Sequence, residues 1–161
     1  MEPLRTVYVE TSIVSYLTAR PSRDVVLAGH QHTTRRWWRG RRSFRLVISQ
    51  LVLDEAGAGD PISRTRRLRT LRGIPILSLT DRAAELAAAL VRRGALPRKA
   101  TVDAFHIGIA AAHQIDFLLT WNCKHLANAA TRGTIEAVCR SAGLAPPTIC
   151  TPEELPSGST P

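Results

Sequence analysis

The sequence is short of cysteine, of lysine, of acidic residues and of long apolar runs, and each shortage narrows the protein's class. Only Cys123, Cys139 and Cys150 occur, an odd number with no C-x-x-C pair. That excludes a disulfide framework and a zinc site built on paired thiols, and reduced thiols in a cytoplasmic protein are the natural reading. No stretch reaches the roughly 18 apolar residues a membrane span needs. Glu2 and Arg5 interrupt the start, so neither a bilayer helix nor a signal peptide is expected. Asp and Glu total 13 against 22 Lys and Arg, a formal net charge of +9 that attracts polyanions, nucleic acid first. All basic residues but Lys99 and Lys124 are arginine, a skew that GC-rich coding also produces. The charge therefore permits a nucleic-acid partner without requiring one.

At 161 residues the chain fits one domain, large enough to bury roughly 70% of its unfolded surface without staples. No internal repeat is visible. Residues 6–10, 45–49, 74–79, 117–120 and 148–150 read as short strands. Between them, helices are expected at 11–20, 23–39, 50–56, 62–72, 81–93, 101–113 and 134–142, with Gly73, Gly94 and Gly143 as stops. Strands alternating with helices imply βαβ units and a mainly parallel sheet. Residues 1–155 are expected to form the domain, and 156–161 (Pro-Ser-Gly-Ser-Thr-Pro) a disordered tail.

In such sheets ligands bind beyond the carboxyl ends of the strands, and that edge collects oxygen-bearing side chains. Glu10 follows Val7-Tyr8-Val9 directly. Glu55 lies six residues after Ser49, Asp103 sits in the first turn of the helix opened by Thr101, and Asn122 follows the fourth strand by two residues. Clustered carboxylates repel one another, so such a group implies a cation or a raised pKa. Mg²⁺, a hard ion held by a few carboxylates, waters and phosphate oxygens, suits this donor set. Singly, each residue has a plainer reading. Asp103 complements a helix dipole, Glu55 is a solvated helix-start residue and Asn122 a turn residue. Glu10, between two apolar runs, is costly to bury without a partner. The combination carries the expectation.

Read together, these segments resemble a PIN domain of the VapC-type toxin nucleases, from about Val7 to Leu155. Val7-Tyr8-Val9-Glu10-Thr11-Ser12 is similar to the opening hydrophobic-Asp-Thr-Ser motif, and Ser49 with Glu55 to the second motif. Asp103-Ala104-Phe105-His106-Ile107 resembles the third, Leu118-Leu119-Thr120-Trp121-Asn122 the fourth, and Thr151-Pro152-Glu153-Glu154-Leu155 the closing segment. The resemblance implies a three-layer α/β/α sandwich and a Mg²⁺- or Mn²⁺-dependent endoribonuclease. Glu10, Glu55 and Asp103 would then be metal ligands, and Asn122 a fourth catalytic position. It also implies an antitoxin partner and a homodimer. Two positions depart from the pattern. Glu10 stands where most relatives carry Asp, moving its oxygens by roughly 1.5 Å. Asn122 stands where many carry Asp, removing one negative charge.

Around these four, Thr11, Ser12 and Thr120 are candidates to hold water or ligands in place, and equally turn and cap residues. His106 lies one turn after Asp103 on the same helix face and reads as a phosphate contact, an orienting group or a satisfied core histidine. His125 and Asn128 face the site or cap a loop. Arg98 and Lys99 precede the Asp103 helix and are candidate RNA contacts. So are Arg35, Arg36 and Arg39, interleaved with Trp37 and Trp38. A solvated arginine-rich face, its stems covering core tryptophans, is the competing reading. The functional alternative is a catalytically weak or inactive PIN-fold module that binds RNA or protein. A DNA-binding regulator has no helix-turn-helix pattern to support it.

Overall fold

The computed structural model describes residues 3–157. Five strands, β1 (Thr6–Val9), β2 (Arg45–Ser49), β3 (Ile76–Leu77), β4 (Phe117–Leu119) and β5 (Thr148–Cys150), form one sheet. All four pairings are parallel, in the order β3-β2-β1-β4-β5. Parallel strands are covered on both faces, so their sequences are continuously apolar. Val7, Tyr8, Val9, Leu118 and Leu119 are accordingly fully buried. The expectation of a mainly parallel α/β/α fold is met, and the sheet is parallel throughout.

Seven α-helices connect the strands: α1 (Thr11–Thr18), α2 (Val25–Arg39), α3 (Gln50–Ala56), α4 (Pro61–Leu71), α5 (Asp81–Arg92), α6 (Thr101–Ala112) and α7 (Ala129–Ser141). They pack in two groups, α1 against α2, α3 and α4, and α5 against α6 and α7. Local chemistry sets their ends. Side chains of Asp24, Ser49, Asp60, Thr80 and Asn128 each accept a hydrogen bond from a first-turn backbone N–H. Glu10 performs the same task for α1 by accepting from Ser12 N.

Several boundaries shift by one or two residues, and two elements differ by more. β3 is only two residues long because Pro75 has no N–H to extend a ladder; its carbonyl accepts from Ile48 N at 3.0 Å. Helix α7 begins at Ala129 rather than 134, since the Asn128 cap starts it and Gly133 is tolerated inside. The tail expectation covers 156–161, of which 158–161 lie outside the described residues. Within it, the Ser157 hydroxyl donates to the Trp37 carbonyl at 2.8 Å.

The two helices behind the sheet meet at a backbone contact. A Cβ at Gly108 of α6 would collide with the Ala83 carbonyl of α5, and main chain cannot swing aside as a side chain would. Gly108→Ala is therefore expected to destabilise the fold by about 1–3 kcal/mol, the usual cost of overpacking, despite alanine's better helix propensity. A thermal melt checks this, and an unchanged or higher Tm would refute the close packing.

At the amino end of the sheet, Asp116 ties β1 to β4. Its Oδ2 accepts from Thr6 N at 2.7 Å and from Thr6 Oγ1 at 2.8 Å. The backbone bond above all holds this carboxyl below its usual range. The strand order reverses between β1 and β4, so the sheet's topological switch point lies at the carboxyl ends of those two strands.

Candidate metal centre at the switch point

Glu10 is the last residue before α1 and 5% exposed, held at the carboxyl end of β1. Three donors converge on its Oε2: Ser12 N at 3.1 Å, Thr120 Oγ1 at 2.7 Å and the Ser12 hydroxyl. Its Oε1 accepts nothing among the described residues. The loop after β4 is stitched to the same group, because Trp121 N donates to Ser12 Oγ at 2.8 Å and Asn122 N to Thr120 Oγ1 at 2.9 Å.

Glu55 reaches the site from α3. Its Oε1 accepts from Thr11 Oγ1 at 2.7 Å and faces His106 Nε2 at 2.8 Å; Oε2 has no partner among the described residues. Burial pushes this carboxyl up, but the hydrogen bond and charge of His106, with the Thr11 hydroxyl, outweigh it and leave it below the ordinary value. Asp103, in the first turn of α6, accepts from Asn122 Nδ2 at 3.1 Å on Oδ1. Burial pushes its carboxyl above the usual range, with a smaller upward contribution from the Glu55 charge, while His106, Asn122 and His125 pull it down.

The same pattern recurs three times. Each carboxylate has one oxygen fixed by protein donors and a second oxygen with none. None of these bare oxygens is among the fully buried orphan atoms of the described residues, so they are open to water or a cation. The donors are hard oxygens, which fits Mg²⁺ or Mn²⁺ rather than a thiolate-loving metal. Among the described residues, ligand atoms of Glu10, Glu55 and His106 all lie within 4.8 Å of one another. His106, however, has no nitrogen to spare, since Nδ1 is bonded to Tyr8 and Nε2 to Glu55. Asp103 is not part of that group.

The other residues singled out in the sequence divide. Thr11, Ser12 and Thr120 contact the Glu10 and Glu55 carboxylates directly. Asn122 spends its amide on Asp103 and its carbonyl on His125 N at 3.1 Å, so it braces an acid instead of offering a bare oxygen. Asn128 caps α7 and donates to the Lys124 carbonyl. Arg98 and Lys99 are exposed on a 3₁₀ turn. Arg98 lines a groove between α5 and α6 that contains none of the three acids. Arg36 and Arg39 are exposed on α2 and Arg35 half-buried there. Trp37 is core, stacked on Phe44 at 5.9 Å, and the Arg41 guanidinium covers Trp38 at 4.8 Å. Neither indole is therefore free to stack on a base. Tyr8 and Ser49, which the sequence placed in two motifs without a role of their own, lie behind the site, the Tyr8 hydroxyl bridging Ser49 Oγ and His106 Nδ1. The signal was a lone phenol in an otherwise apolar strand.

Fold and site together define a class: a doubly wound parallel α/β protein with a carboxylate site at its switch point. Comparison with protein families makes this specific, since a model of the PIN domain matches residues 7–129. The chain belongs to the PIN-domain family. A crystal structure of a member of the VapBC family of toxin–antitoxin systems, VapBC-5 from Mycobacterium tuberculosis, is similar over 73% of this chain and 85% of that one, at 17% identity and a TM-score of 0.43. A search of curated proteins gave no match. Among the described residues no helix is long and apolar enough to cross a membrane.

Proposed function

We propose that the chain is a Mg²⁺-dependent endoribonuclease of the VapC toxin type, with Mn²⁺ as a competent substitute. The observation that carries this is the set of three carboxylates, each clamped through one oxygen and bare at the other. Glu10, Glu55 and Asp103 hold the ion, and Asn122 keeps Asp103 in position. When bound, a divalent cation supplies charge neutralisation and water activation for hydrolysis of an RNA phosphodiester. The protein's share is preorganisation. Thr11, Ser12 and Thr120 fix carboxylate rotamers before substrate arrives, so no reorganisation is needed during reaction. No Ser, Cys or His nucleophile is required. Among the described cysteines, Cys139 and Cys150 are buried, their thiols pushed up by burial to about 11 and about 12.

Exposed arginines, among them Arg36, Arg39 and Arg98, with Lys99, supply long-range attraction for RNA. The reading includes an antitoxin partner, a homodimer and a cytoplasmic location, with residues 1–155 as the functional domain. An apolar groove of about 460 Å³, lined by Leu51, Leu77, Leu79, Val102, Phe105 and Ile109, supports a protein partner beside the acids.

The test is RNA cleavage by purified protein with Mg²⁺, with Mn²⁺ and after EDTA. Cleavage is expected with either ion and none with the chelator. Persistent cleavage in EDTA would reject the site. A protein that binds RNA but neither cleaves it nor takes up Mn²⁺ would instead be the inactive binding module, for which Asn122 in place of a fourth acid is the supporting observation.

A further inference from the structure

We propose that Tyr8 and Ser49 form a buried bracket that aims His106 at Glu55, making all three positioning residues for that carboxylate. The inference rests on Glu55 holding the metal, as read above, and concerns how it is held. Tyr8 is in β1, Ser49 ends β2 and His106 is in α6, so the bracket is built across three separate elements. The Tyr8 hydroxyl lies 2.7 Å from Ser49 Oγ and 2.7 Å from His106 Nδ1. His106 Nε2 then lies 2.8 Å from Glu55 Oε1. The Tyr8 and His106 rings meet edge to face, 5.7 Å between centroids. Tyr8 and His106 are fully buried and Ser49 nearly so, whereas the Glu55 side chain is 35% exposed. The chain of bonds therefore runs from the core to the mouth of the site.

Its direction follows from proton accounting. The Glu55 carboxylate only accepts, and its Oε1 lies 2.8 Å from His106 Nε2. His106 Nε2 must therefore carry a proton. The neutral tautomer protonated only at Nδ1 is excluded, since its bare Nε2 would face the carboxylate lone pairs. The Tyr8 phenol has one proton to give and lone pairs to accept with. That hydroxyl accepts from Ser49 and donates to His106 Nδ1, or runs the opposite way if His106 is charged; in both cases the ring is pinned.

A core with no task beyond packing would use Phe and an aliphatic residue at these places at little cost, since replacing both partners of a buried hydrogen bond by apolar groups is nearly neutral. Here the bonds end on a carboxylate instead. Because both ring nitrogens are occupied, His106 acts on a metal only through Glu55. Groups in this relation to a metal commonly change its affinity by about 10–100-fold when removed.

The experiment combines Mn²⁺ titration with ¹⁵N spectra of the histidine rings, on wild type, Tyr8→Phe, His106→Gln and His106→Ala. In wild type the His106 Nε2 is expected to be protonated. Tyr8→Phe is expected to release the ring, weaken Mn²⁺ binding about tenfold or more and lower kcat with little change in KM for an RNA oligonucleotide. His106→Gln, which keeps a donor where Nε2–H stands, is expected to retain more Mn²⁺ affinity than His106→Ala. A wild-type ring bare at Nε2, or a Tyr8→Phe protein with unchanged ring signals and Mn²⁺ affinity, would overturn the bracket. If wild type takes up no Mn²⁺, the nuclease reading fails and the ring spectra still decide the bracket. If Tyr8→Phe does not fold, the wild-type spectrum and the Gln–Ala comparison decide it.

Discussion

Asp103→Asn is expected to lower RNA cleavage by about a thousandfold, the scale on which loss of one preorganised charge-stabilising group acts, while making the metal-free protein more stable. The two effects share one cause. Asp103 is half-buried beside Glu55, and burial raises its carboxyl above the ordinary value. A group whose folded pKa is raised contributes stability that is fully present below its unfolded value, near 3.9, and is lost as pH rises through the folded value. At neutral pH the wild-type protein carries that loss. Asparagine keeps an oxygen to accept from Asn122 Nδ2 but carries no charge to desolvate. The stability advantage of the variant should therefore appear above the ordinary aspartate range and vanish at more acid pH. Thermal melts across pH, run without metal, check the sign. A variant less stable than wild type at pH 7 would mean that Asp103 is a structural acid, and full activity would remove it from the site.

Much of this site was legible because its acids follow apolar strands. Val7-Tyr8-Val9 can only be a buried strand, so Glu10 had to lie at its carboxyl end, and the rule for open α/β sheets did the rest. Glu55 and Asp103 were placed by their distance from a strand end or a helix start, a local measure that survives folding. The contacts between elements were not legible. Nothing in the sequence states that Thr11 reaches Glu55, 44 residues away, or that Thr120 reaches Glu10, 110 residues away. Tyr8 illustrates the limit. In a strand buried on both faces a tyrosine reads as core, and its hydroxyl acquires meaning only once β2 and α6 bring Ser49 and His106 to it.

The same division holds for the fold. The starts of α3 and α5 were read to the residue, and their Ser49 and Thr80 caps are a matter of two or three residues. Helix α7 was read late, since Gly133 looks like a break until the Asn128 cap is known to begin the helix ahead of it. The arginine-rich run on α2 carried two readings, a stacking surface or arginine stems over core tryptophans, because sequence alone does not say which face of a helix is covered; in the fold Trp37 faces the core.

Mn²⁺ is expected to raise the Tm of the wild-type protein by roughly 5–10 °C at a hundredfold excess over Kd. The linkage relation gives about 2.7 kcal/mol at that excess, and a domain of this size shifts by about 2–4 °C for each kcal/mol. The stabilisation arises because folding brings Glu10 and Glu55 into one close group, with Asp103 near enough to feel the Glu55 charge, whether or not a cation is present. Without one, the fold bears the repulsion of like charges that it has brought near one another. The unfolded chain disperses the same charges into water and has no comparable affinity for the ion. Asp103→Asn should show a smaller shift than wild type while starting from a higher metal-free Tm, so the two melting curves should converge as Mn²⁺ is added. Equal shifts in both proteins would place the ion elsewhere on the surface, and no shift in wild type would mean that the bare oxygens are satisfied by water alone.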